Sequence, residues 1–332
     1  MKRRTLRART GVIIVAVAAA LVAALVTPAA ATVITTGHVG SGSPAVARVG
    51  DRLYVAWTGT TGTAAAKYLN LGYSLANGKN IVKLPPDPQY TNPQKSPQGE
   101  GPALVADATG GAGVTMAWTA GDNGNTLTAV RFDGTHFGCF TSFAFLTTDH
   151  APALARDPQG RAWIAWTDKT KHINVAQLGQ SGCTAAGGGL MNLVGRQVLT
   201  ATTPFGPGLV YDSSGSSELG VLVGWVSDDA TRYLKFGTFT GTTTLTNVSG
   251  PRDPVTALSP PALSSADSDL YVVFRGANSH EYLGYSEGCR PSCFSASDTG
   301  TVVTSGFGVT PYLGIAAYFD AKGSLAFDTF WH

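Results

Sequence analysis

The sequence predicts an all-β fold built from one repeated sheet unit, and three observations carry that reading. The first is composition. Charged residues make up only 13% of the 332-residue chain, glycine is abundant at 41, and no long Glu, Lys, Leu and Ala run stands at helical spacing. The second is recurrence: "SPAVARVGDRLYVAWTGT" at 43–60, "GPALVADATGGAGVTMAWTA" at 101–120 and "APALARDPQGRAWIAWTD" at 151–168 are versions of one phrase. The third is spacing. A proline opens each unit at Pro44, Pro102, Pro152, Pro207, Pro261 and Pro311, at intervals of 58, 50, 55, 54 and 50 residues. Units of that length with several short strands have the period of propeller blades. The expectation is a six-bladed β-propeller, closed by an N-terminal strand in the last blade.

Each unit reads in the same order. A short strand of small residues follows the proline: "AVAR", "ALVA", "ALAR", "GLVY", "ALSS" and "YLGI". After a turn comes an alternating strand ending in an aromatic residue: Trp57, Trp118, Trp166, Trp225, Phe274 and, in "LAFDTF", Phe330. A third strand shows as "YLNLGYS", "LTAVRF", "INVAQL", "YLKFGTF" and "YLGYS", and a fainter fourth as "IVKL", "FAFL" and "RQVL". Strands of period two bury alternate side chains, and one small sheet cannot cover both of its faces. Packing the units around an axis covers both faces and leaves only short outer edges exposed. The last unit stops after two strands, so "TVITTGHVG", residues 32–40, is expected to complete its sheet.

Residues 1–31 read as a secretory signal peptide. Lys2, Arg3, Arg4, Arg7 and Arg9 precede the apolar run Gly11–Val26, and "TPAAA" supplies a small-residue cleavage site after Ala31. An uncleaved anchor is the alternative. The expected mature chain is one propeller domain, residues 32–332, secreted, monomeric and without a membrane span. The full chain carries 23 basic and 21 acidic residues; without the signal, 18 basic face 21 acidic, a net charge of −3. That balance lacks the basic footprint of a nucleic-acid binder.

The four cysteines suit an exported protein with disulfides. "CRPSC" places Cys289 and Cys293 close enough for a local loop, and Cys139 and Cys183 then pair by elimination. Three connectivities are open, of which this is the simplest. No His or further Cys stands nearby at metal-ligand spacing, so neither a metal nor another cofactor is expected.

Several polar residues belong to the repeat itself. Asp107, Asp157 and Asp212 each fall five residues after their proline and Asp267 falls six after, a spacing that assigns them to turns. The six histidines stand in no His-x-x-x-His or serine-elbow context, and "GGG" at 187–189 opens no strand-to-helix turn.

The pattern "PAL…G-x-L-y-x-A-W-t-G" followed by "l-N-l-g-y-S" resembles the repeat of secreted bacterial sialidase-like propellers of the Asp-box type, and six-bladed propeller lectins share its general appearance. The resemblance spans essentially the whole mature chain. Only worn Asp-box versions stand here, "SLANGKN" from Ser74 and "FDGTHF" from Phe132. The resemblance implies the fold more strongly than any activity. The sialidase constellation it would bring has three arginines, a tyrosine–glutamate pair and an acidic proton donor. The early Arg-Ile-Pro segment has no match; "FRGAN" at 274–278 lies in the fifth unit and lacks Ile-Pro. Four glutamates are present, Glu100, Glu218, Glu281 and Glu287.

Binding has a positional argument. In a propeller the loops joining second and third strands gather on one face. Here they hold Asp122 and Asn123; Asp168, Lys169, Lys171 and His172; Asp228, Asp229 and Arg232; and Arg275, Asn278, His280 and Glu281. Carboxylate, amide and guanidinium groups beside aromatic residues suit the hydroxyls and apolar faces of sugars. The expected function is non-catalytic, lectin-like recognition of an extracellular glycan or cell-surface polysaccharide, with Arg275 as the leading contact. A glycoside hydrolase and a protein-binding scaffold are the alternatives.

Overall fold

The computed structural model describes residues 32–33, 42–63, 66–75, 81–85, 94–97, 100–107, 113–121, 124–180, 183, 189–211, 220–266, 269–286, 294–302, 313–319 and 325–331. Among these no helix is long and apolar enough to cross a membrane. The expected signal peptide, Asp122, Asn123, Asp212, Asp267, Glu218, Glu287, Cys289 and Cys293 lie outside the described residues.

A short strand β1 (Thr32–Val33) precedes the repeats. The first blade holds β2 (Ala45–Val49), β3 (Arg52–Gly62), β4 (Ala66–Leu75) and β5 (Val82–Lys83), with β6 (Lys95–Pro97) also paired to β4. The second holds β7 (Ala103–Ala106), β8 (Val114–Thr119), β9 (Thr126–Phe132) and β10 (Phe137–Thr147). The third holds β11 (Ala153–Arg156), β12 (Ala162–Thr167), β13 (His172–Gly179) and β14 (Asn192–Thr202). The fourth holds β15 (Gly208–Tyr211), β16 (Val221–Val226), β17 (Leu234–Phe239) and β18 (Thr246–Ser249). The fifth holds β19 (Ala262–Ala266), β20 (Asp269–Arg275), β21 (His280–Ser286) and β22 (Ser295–Val302). Every blade is an antiparallel meander running outward from its proline-led strand.

The described residues therefore form five blades, not the six expected. What remains is a three-stranded terminal sheet in the order β1, β24 (Leu325–Trp331), β23 (Leu313–Phe319). Its N-terminal member is two residues long and lies parallel to β24, pairing Thr32 with Asp328 and Val33 with Thr329. Among the described residues β22 is followed by β23 and β24 alone, and a hairpin joined by the two-residue β1 is not a four-stranded meander of the same kind. β23 lies beside both β2 and β19.

Cores form between blades rather than within them. Leu127, Ala129 and Phe143 of the second blade meet Ile164, Trp166 and Leu178 of the third. Trp225 packs against Ile173 and Val175 of the third blade, and Phe274 against Leu234 and Phe236 of the fourth. Trp118, Trp166 and Phe274 are fully buried. Trp118, Trp166, Trp225 and Phe274 are thus wedges aimed at the preceding blade, whereas Trp57 packs against Leu53, Val55 and Ile81 of its own blade. The alternate face of the same strand turns to the following blade.

One device repeats at the end of that alternate face. Thr58, Thr119 and Thr167 directly follow Trp57, Trp118 and Trp166. Their hydroxyls donate to the carbonyls of Glu100 (2.8 Å), His150 (2.6 Å) and Phe205 (2.7 Å). Each acceptor stands two residues before the next blade's proline, so every hook ties one blade to the start of its neighbour. Cys139 of β10 and Cys183, which follows β13, form a disulfide with Cα atoms 5.5 Å apart, joining the second and third blades. That separation is ordinary for a bridge.

Along the axis Val46, Leu104, Leu154, Leu209 and Leu263 of the inner strands border both mouths of the central channel. One mouth is rimmed by the repeat prolines, the other by the turns between first and second strands.

Candidate functional site

The loops between second and third strands lie on the proline face. Their geometry begins with turn chemistry. Lys171, Arg232 and Ser279 have φ of 68°, 49° and 65°, a left-handed residue just before each third strand. A short polar side chain upstream stabilises such a turn by accepting from the backbone.

Asp168 performs that task in the third blade. Its Oδ1 accepts from the N–H groups of Thr170 (2.9 Å) and His172 (3.1 Å) and from the Thr170 hydroxyl (2.6 Å). Its Oδ2 accepts from Asn174 Nδ2 at 3.0 Å. Burial pushes the carboxyl up, but these hydrogen bonds outweigh it and leave the group below its ordinary 3.8. Asp229 repeats the arrangement in the fourth blade. The hydroxyls of Thr231 and Ser227 and the N–H groups of Thr231 and Arg232 hold its carboxyl down at about 2. His172 Nδ1 donates to the Leu199 carbonyl at 3.0 Å, and Lys169 is exposed. Lys171 Nζ reaches Asp228 at 3.0 Å, an exposed pair crossing from third to fourth blade. The Arg232 guanidinium lies over the Phe205 ring, 5.9 Å from its centre.

The fifth blade differs. Asn278 caps its turn through the His280 N–H (3.1 Å), and its Nδ2 donates to Asp298 Oδ2 at 2.8 Å. His280 Nδ1 meets the same oxygen at 2.8 Å. Asp298 was not foreseen: it stands on β22, and only strand pairing, with Tyr282 opposite Asp298, brings it to these loop residues.

Arg275 and Glu281 face each other in register across β20 and β21. They therefore share one side of the blade, the side opposite the Phe274 wedge and so away from the fourth blade. Arg275 occupies the hook position that threonine holds in the first three blades. Its Nη2 donates to Ser279 Oγ at 2.8 Å, while its buried Nε has no hydrogen-bond partner. Glu281 is only 3% exposed, and its Oε2 also lacks a partner. Burial raises this carboxyl above its ordinary 4.5, offset in part by a hydrogen bond from Thr299. A buried polar atom without a partner is costly, and two such atoms, a guanidinium donor and a carboxyl oxygen, on one side of one strand pair call for an explanation.

The predicted site residues thus fall into separate groups. The third- and fourth-blade residues largely stabilise their own turns or link neighbouring blades. The fifth-blade group combines a turn cluster, Asn278, His280 and Asp298, with the Arg275–Glu281 pair on the opposite side.

No protein-family model matches the chain, and no curated protein matches it in sequence. Solved structures resemble it in fold. AofleA from Arthrobotrys oligospora aligns over 89% of this chain and 80% of its own, with a TM-score of 0.57 and 10% identity. The SapL1 lectin, solved with alpha methyl fucoside, aligns over 84% and 86%, with a TM-score of 0.54 and 11% identity. The Hadza microbial sialidase Hz136 aligns over 89% of this chain and 66% of its own, with a TM-score of 0.50 and 12% identity. At such identities the likeness defines a class, the β-propellers, to which both a lectin and a sialidase belong. In the "FDGTHF" turn, Asp133 Oδ1 accepts from the N–H groups of Thr135 (2.8 Å) and His136 (2.7 Å), a turn-stabilising role.

Proposed function

We propose that this protein is a non-catalytic carbohydrate-binding propeller, with Arg275 and Glu281 of the fifth blade as its principal ligand contacts. The observation that carries the reading is the pair of buried, unpartnered atoms, Arg275 Nε and Glu281 Oε2, on one side of one strand pair. A guanidinium donor and a carboxyl acceptor placed together suit the adjacent hydroxyls of a sugar. A lectin among the similar folds makes this class of ligand a natural one for the scaffold. The Cys139–Cys183 bridge is compatible with an extracellular setting.

The hydrolytic alternative has less support. Glycoside hydrolysis generally needs two carboxyl groups flanking one bond. Asp298 pairs with Tyr282, the residue after Glu281, so the two acids project to opposite sides of the blade.

The test is a glycan array followed by titration of the best binder. Arg275→Ala is expected to weaken binding by about 1–3 kcal/mol, the range for a charged hydrogen bond. Its melting transition should stay close to that of the parent protein. Undiminished binding by Arg275→Ala, or turnover of the bound glycan, contradicts the proposal.

A further inference from the structure

At the turn face of the channel lies a basin of about 490 Å³, a size typical of small-molecule sites. Aliphatic residues, including Leu154 and Leu209, line it together with polar ones. Arg156 is fixed in place. Its Nη2 pairs with Asp107 Oδ1 at 3.1 Å, and its Nη1 donates to the Gly160 carbonyl at 2.6 Å. Asp107 is fixed in turn: Arg131 Nε holds its Oδ2 at 2.6 Å and the Thr115 hydroxyl its Oδ1 at 3.1 Å. Tyr211 and Ser264, from the inner strands of the fourth and fifth blades, also line the basin. The buried Arg156 Nε has no hydrogen-bond partner.

Aliphatic lining beside a preorganised guanidinium–carboxylate pair and hydroxyl-bearing side chains matches a ring having one C–H face and polar groups around its edge. We propose that the turn-face mouth of the channel is a second binding site, for a short neutral saccharide, separate from the Arg275–Glu281 pair. The choice of ligand class rests on the carbohydrate reading above; the location does not.

Titration calorimetry on the full chain tests it, with methyl α-glucopyranoside, methyl β-galactopyranoside and methyl α-fucopyranoside as probes. Tyr211→Ala is expected to weaken one class of site about tenfold or more, and Tyr211→Phe, which keeps the ring, to weaken it less. Arg275→Ala should leave that class untouched. Failure of the parent protein to bind any probe overturns the inference. So does unchanged affinity and stoichiometry in Tyr211→Ala, and if Arg275→Ala alone then loses binding, the earlier reading stands without this one. Loss in Tyr211→Ala with none in Arg275→Ala supports the second site and removes the first.

Discussion

Asp157 and Glu281 are buried carboxyl groups in opposite circumstances. Burial pushes Asp157 up, but Trp163 Nε1 (3.1 Å), the Arg161 N–H (2.8 Å) and the Arg161 guanidinium (2.5 Å) outweigh it, leaving the group below its ordinary 3.8. A depressed carboxyl stabilises the fold above its unfolded pKa, and that stability is lost as pH falls through the folded value. Asp157→Asn should therefore flatten the acid side of the stability curve below about pH 4, as read by denaturation at stepped pH. Glu281 works in the other direction. Its raised pKa means that the native state holds a proton the unfolded chain releases, so stability falls as pH rises above the ordinary 4.5. Glu281→Gln should melt higher than the parent protein at neutral pH and bind glycan less well, the trade expected of a binding residue. A lower melting point would assign Glu281 a purely structural role. The turn role of Asp157 was legible in its spacing after Pro152. The orphaned state of Glu281 was not, because it depends on what packs across the strand pair.

At the scale of the element, the hooks and wedges explain why the Ala-Trp-Thr phrase recurs. In the second and third blades tryptophan fills the preceding interface, while the threonine after it, on the other side of the strand, ties down the following blade. The tryptophan was legible as a core residue from alternation. The threonine was not, since its acceptor is a carbonyl in irregular chain 38 residues away for Thr167. Thr167→Val, similar in shape, leaves the Phe205 carbonyl without its donor and should cost about 1–2 kcal/mol in chemical denaturation. Cys139 and Cys183 close a sequence separation of 44 residues. The double change to serine should destabilise the protein by about 2–4 kcal/mol, and reduction of the parent protein should reproduce most of that loss.

At the scale of the molecule, the propeller itself was legible, because its repeat is stated several times in the chain. The blade count was not. Pro311 and the strands after it look like the start of another unit, but a proline and an inner strand do not supply a four-stranded meander. The candidate site was legible in part. Arg275, Asn278, His280 and Glu281 stand together in sequence, whereas Asp298 and the division of these residues between two sides of the blade emerge only from strand register. The claim that matters most is that the fifth blade holds sugar through Arg275 and Glu281. Its most direct measurement is a crystal structure of the protein with the strongest glycan from the array. The expected result is an intact saccharide with hydroxyls hydrogen-bonded to the Arg275 guanidinium and the Glu281 carboxyl. A saccharide bound with neither residue in contact, or one cleaved in the crystal, would contradict it.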